Sequence, residues 1–157
     1  METQTEKQTL AQLTGITAEQ ADVIANMGCD LANSGRFDDA RVVFEGMVTL
    51  NPHDAAAQAA RGTVYQKLGR IDEALAAYDA CLTLDPQHPV ALANRGELKV
   101  LARDASGWLD LAKALEADPQ GVTVGSRRAK AMIEVVAKKE KEAKENALKA
   151  KAATTVN

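Results

Sequence analysis

The chain has 157 residues, 46% of them hydrophobic, 26% charged and only 3% aromatic, with a formal net charge of −3. That length suits one domain of closely packed, alanine-rich helices without a bulky central core, and no apolar run approaches the length of a membrane span, which excludes an integral membrane helix. Without a charged-then-apolar export signal the expectation is a cytoplasmic protein. Cys29 and Cys81, at different positions in the pattern described below, are expected as reduced thiols.

The charge is unevenly spread. Residues 1–125 hold 10 basic and 18 acidic side chains, whereas residues 126–157 hold 9 basic and 4 acidic ones. An acidic body with a basic tail that lacks aromatics excludes the basic, stacking surface that nucleic acid requires.

In chain order, residues 1–16 are polar and rich in Thr and Gln, with Leu10, Leu13 and Ile16 as the apolar anchors of a flexible arm or short docking helix. Thr17 and Gln20 have the spacing of a capping box and open the first long helix. From there the sequence repeats: Gly28, Gly62 and Gly96 are 34 residues apart, as are Gly35 and Gly69, Ala40 and Ala74, Phe44 and Tyr78, and Pro52 and Pro86. A fixed period of this length predicts one helical hairpin used repeatedly, so the fold class is all-α, an α-solenoid whose function is a surface. Glycine within the first helix and alanine in the second let the two approach, while Phe44 or Tyr78 fills the adjoining gap. Gly35 and Gly69 stop the first helix, and the acids that follow, Asp38-Asp39 and Asp72-Glu73, suit the positive end of the second. A third unit has one residue deleted between Gly96 and Leu101, after which Arg103, Gly107, Leu111, Ala114 and Asp118-Pro119 return to register.

After the flexible stretch 121–125, a last helix is expected from near Ser126, with Ala129, Met132, Ile133 and Val136 as its apolar stripe. It caps the open end of the stack over residues 122–137. Residues 138–157 form a charged Lys/Glu/Ala tail.

The recurring residues, Gly62, Tyr65, Leu68-Gly69-Arg70, Ala74, Tyr78 and Asp85-Pro86 in the best-matching unit, resemble the tetratricopeptide repeat. Three repeats would occupy 17–121, as units 21–54, 55–88 and 89–121. The early tryptophan of that pattern is missing, Arg61 and Arg95 replace its leucine, and Gly107 replaces its alanine. The resemblance implies a concave groove lined by the first helix of each unit. Projected onto this sequence, that groove comprises Ala25, Cys29 and Ala32, then Ala56, Ala59, Thr63, Tyr65 and Gln66, then Val90, Ala93, Glu97 and Val100. Repeats of this type that clamp a C-terminal carboxylate use lysine, asparagine and arginine on these helices; Ala25, Cys29, Ala60, Val90 and Asn94 stand here instead, so the implied ligand is an extended apolar segment of a client protein.

The number of repeats, the N-terminal arm, the capping helix and the segment Ala32-Asn33-Ser34-Gly35-Arg36-Phe37-Asp38-Asp39-Ala40 resemble the class II chaperones of bacterial type III secretion. That resemblance implies a non-catalytic chaperone that holds a hydrophobic translocator before export, with a general scaffold or assembly adaptor as the alternative. A regulatory module acting through the basic tail is a third reading. Leu10, Leu13 and Ile16, or the stripe around Ile133, offer faces for a homodimer. No cofactor is implied: His53 and His88 sit in turns without metal-ligand neighbours, and the paired acids are explained by helix N-termini, so neither metal nor acid-base chemistry is expected.

Overall fold

The computed structural model describes residues 9–154, with side chains to residue 147; expectations for residues 1–8 and 155–157, and for the side chains from 148 onward, lie outside the described residues. Eight helices and no strand occur among the described residues: α1 (Leu10–Thr14), α2 (Ala18–Asn33), α3 (Phe37–Leu50), α4 (Ala55–Lys67), α5 (Ile71–Leu84), α6 (Pro89–Leu101), α7 (Ser106–Ala117) and α8 (Val124–Thr154).

Helices α2/α3, α4/α5 and α6/α7 form three consecutive hairpins, each packed on the next, with α8 laid against both α6 and α7. The first helices of the later units, α4 and α6, touch one another, and α8 continues that row against α6. No comparably close approach joins α5 to α7, so the second and third units curve with α4 and α6 on the inner side, and α2 holds the equivalent place in the 34-residue register.

Local chemistry sets the helix ends. The Thr17–Gln20 box closes as its spacing predicts: Gln20 N donates to Thr17 Oγ1 (3.2 Å) and Thr17 N donates to Gln20 Oε1 (3.0 Å). Thr9 and Gln12 build a second box, which orders α1 within the expected arm. Asp54 caps α4 by accepting from Ala57 N, and His88, one period later, does the same for α6 through Nδ1. That histidine is therefore a cap with Pro89 behind it.

Gly35 and Gly69 end α2 and α4 with φ of +77° and +75°. In the third unit Arg103 takes this left-handed position, at φ +62°. Its amide bonds Val100 O and the next amide bonds Lys99 O, as Gly69 and Arg70 bond Gln66 and Tyr65. The 34-residue register thus survives through Asp104, and the deletion falls between Asp104 and Gly107 rather than between Gly96 and Leu101. The shortening is taken up where α7 begins, since α6 is locked by its contacts while a helix start can lose a residue without breaking an interior bond.

Tight crossings hold each hairpin. A Cβ placed on Gly28 would stand 2.7 Å from Phe44 Cζ, and one on Gly62 2.6 Å from Tyr78 Cε1, so the ring of the second helix lies directly on the glycine of the first. Two apolar cores result, one around Phe44, Met47, Val48 and Val64, the other around Tyr78, Cys81, Leu82 and Leu92.

The capping helix starts at Val124, two residues ahead of the expected Ser126, and continues past residue 137 to Thr154, with residues 137–147 exposed. Ala129 and Ser126 are its most buried side chains. The turn before it is tied by Asp118, whose carboxylate accepts from Val122 N (2.9 Å) and Thr123 N (2.8 Å). These backbone donors hold the carboxyl at about 2, below the usual range. A folded-state value below the unfolded one means that the stabilisation is fully present above the unfolded value of about 3.9 and is lost as pH falls towards about 2. Acid titration followed by hydrogen exchange is expected to release the amides of Val122 and Thr123 across that window, and Asp118→Asn is expected to remove the pH dependence at those two amides.

Candidate functional site

The inner face is built from residues recurring every 34 positions on α2, α4 and α6. Exposure runs along α2 at Asp22, Asn26, Cys29 and Asn33, and along α4 at Ala56 and Lys67, with Ala60 and Thr63 half-buried between them. On α6 the equivalent positions are Val90, Asn94, Glu97 and Leu101. Leu101 is 71% exposed, whereas Asn94 is buried because α8 covers this end: Arg128 donates to Asn94 Oδ1 (2.9 Å) and pairs with Glu97 (3.2 Å). The open surface is thus a trough of mixed polarity, closed at one end by α8.

Of the twelve residues projected from the sequence, Cys29, Ala56, Thr63, Val90 and Glu97 fall on this open line. Ala25 and Ala32 are half-buried against the core around Phe44. Ala59 and Ala93 are 3% and 2% exposed within the second core, and Gly125 of α8 presses on Ala93. Gln66 is turned towards α5, where it accepts a hydrogen bond from the Tyr78 hydroxyl (2.8 Å). Val100 is half-buried at the α6–α7 crossing. Tyr65 lies on the other side of α4, its hydroxyl donating to Glu45 Oε1 on α3 (2.8 Å) and its ring between Arg61 and Arg70. Asp22, Asn26, Asn33, Ala60, Lys67 and Leu101 complete the trough and were not among the projected residues.

A polar seam crosses the trough floor. Thr63 Oγ1 accepts from Asn94 Nδ2 (3.3 Å), and the Tyr78 hydroxyl reaches up between them from α5. Burial raises the Tyr78 phenol to about 12, so it stays a neutral donor. Burial likewise pushes the Cys81 thiol up to about 11, an inert packing group, while Cys29 is exposed on the inner face; neither forms a disulfide. No group of three or more His, Cys, Asp or Glu among the described residues is placed to hold a metal ion, and none of the described helices is long and apolar enough to cross a membrane.

Residues 26–89 match the tetratricopeptide repeat family model. No curated protein matches the chain. Among solved structures, a type III secretion complex from Aeromonas hydrophila superposes with a TM-score of 0.73 at 22% identity, covering 85% of this chain and 91% of that one. The type III secretion translocator chaperone SycD of Yersinia enterocolitica gives 0.71 at 22% identity, with 82% and 98% covered. SycD in complex with a peptide of the translocator YopD gives 0.68 at 21% identity, with 80% and 98% covered. The chain is an all-α solenoid of helical hairpins with the same fold as these proteins.

Proposed function

We propose that this solenoid is a non-catalytic binding protein that holds an extended segment of a client along its inner face, and that it serves as a cytoplasmic chaperone for a translocator-type export substrate. The observation that carries the reading is the line of recurring positions from Asp22 and Cys29 through Ala56 and Thr63 to Val90 and Leu101, open except where α8 covers Asn94, a surface on which adjacent helices present the same positions at a regular spacing. The likeness in fold to SycD, a structure of which holds a translocator peptide, supports it. Small residues at Ala56 and Ala60 leave room for side chains of the segment, and the exposed Asn26 and Asn33 offer hydrogen bonds to its backbone.

Capture from the native host followed by mass spectrometry is expected to recover one or two aggregation-prone exported proteins; recovery of stable complex subunits instead would favour the scaffold reading. Ala56 is exposed, so Ala56→Arg fills the trough without disturbing the core. With the captured client, Ala56→Arg together with Cys29→Arg, both at exposed positions of the inner face, is expected to weaken binding by about ten-fold or more while helicity and melting temperature hold. Unchanged affinity would remove the inner face as the site. Arginine at Ala59 or Ala93 is not a clean probe, because both side chains are packed between helices and the variants would unfold.

A further inference from the structure

Arg95 shows how the repeat satisfies an arginine at this point of its first helix. Its guanidinium gives Asp110 on α7 two parallel hydrogen bonds, both 2.8 Å, and Asp79 on α5 a third of 2.7 Å. Arg61 stands one period earlier with neither acid in place. Ala77, fully buried, occupies the position of Asp110 in register, and Glu45, at the position of Asp79, is already bonded to the Tyr65 hydroxyl and Arg41, each at 2.8 Å. What Arg61 has is an amide: Nη2 donates to Gln58 Oε1 (2.7 Å), Nε is buried without a hydrogen-bond partner, and Nη1 makes no hydrogen bond to a described residue.

A second arginine shares its tyrosine. The guanidinium carbons of Arg61 and Arg70 lie 5.9 and 4.8 Å from the centre of the Tyr65 ring. Arg70 is paired with Glu73, and Arg41 with Glu45 and, at 3.6 Å, with Asp38. Two guanidiniums therefore lie over one tyrosine, and one of the two, Arg61, has no carboxylate of its own. Planar guanidiniums stacked on an aromatic ring are weakly hydrated and matched in shape to a carboxylate.

We propose that Arg61 and Arg70, over the ring of Tyr65, form a carboxylate-recognition site on the outer side of α4, taking an Asp or Glu side chain from an acidic segment of a partner protein. The neighbouring layer supplies the ligand chemistry, since the same arginine one period later is held by two aspartates. Arg61 and Tyr65 occupy the face of α4 away from Ala56 and Thr63, so this site goes beyond the inner-face reading and the two can be filled together.

The test uses the full chain with an N-acetylated Asp-Glu-Asp amide as probe, following the arginine Nε–Hε resonances by NMR. Saturable shifts at Arg61 and Arg70 are expected, with affinity falling as salt rises. Arg61→Gln is expected to weaken binding about ten-fold, and Lys67→Gln, on the inner face, to leave it unchanged. Arg70→Gln provides a second variant should Arg61→Gln lose helicity, and is expected to weaken binding in the same direction. Shifts confined to the lysines of α8, equal binding by inorganic phosphate, peptide-induced self-association in place of shifts at Arg61, or affinity that both arginine variants retain would each overturn the assignment.

Discussion

Gly107→Ala is expected to destabilise the protein by about 2–3 kcal/mol, although alanine is the better helix former. A Cβ at this position would stand 2.6 Å from Gly96 O and 2.7 Å from Val100 N. Both are backbone atoms, so no rotamer change relieves the contact and α6 and α7 must move apart. That separation reaches the core, since Gly96 in turn lies 2.8 Å, by the same construction, from Gly107 O and 2.9 Å from Leu111. The earlier units place a ring against the first-helix glycine, whereas the third pairs glycine with glycine and fills the remaining space with the smaller Leu111. Gly46 is the control: it is in α3, exposed, with nothing within 4 Å of an added Cβ, and Gly46→Ala is expected to stabilise by about 1 kcal/mol through helix propensity alone. Urea unfolding of the two variants should show midpoints moving in opposite directions. Equal shifts of the same sign would mean that the α6–α7 crossing is looser than the geometry requires.

Gly107 also marks the limit of what the sequence discloses. The 34-residue period exposes the hairpins, their glycine stops and the small-against-large crossings, because each depends on a residue type that no other fills cheaply. The register of the third unit is harder: Arg103 adopts a conformation that glycine usually supplies, so the signal for the turn is absent at the residue that makes it. The inner face was partly legible. Gly62 must face α5 to admit Tyr78, and residues three before and four after it share its side of the helix, which turns Ala59 and Gln66 inward and leaves Ala56, Ala60, Thr63 and Lys67 to the trough. A small apolar side chain suits a groove floor and a helix crossing equally, so composition could not separate the two. Tyr65 enters the projected groove through the resemblance alone, yet Glu45 and two arginines hold it on the opposite side, a long-range arrangement with no local signature.

Asp110→Ala is expected to cost about 3–5 kcal/mol, the largest effect of any single change considered. The Asp110 and Arg95 side chains are 6% and 18% exposed, and Lys99 Nζ approaches the same carboxylate at 3.4 Å. Removing the acid leaves two cations facing each other with little water, and Asp79, 62% exposed, can compensate only one of them. Burial alone would raise the Asp110 carboxyl, but the hydrogen bonds and charge of Arg95 and the charge of Lys99 outweigh it and bring the group below its ordinary value. The stabilisation is therefore complete above the unfolded value of about 3.9 and declines as pH falls through the lower folded value. Wild type should lose stability in acid faster than Asp110→Ala, so the difference between the two measured by urea unfolding is expected to narrow as pH falls below about 4. The double variant Arg95→Met with Asp110→Leu separates the pair from its packing. If the cost of the single change comes from an uncompensated charge, the double variant should recover most of the lost stability, since well-packed apolar residues replace buried ion pairs with little penalty. A double variant as unstable as Asp110→Ala would show instead that the ion pair sets the angle between α6 and α7, and with it the placement of Glu97 and Leu101 along the trough.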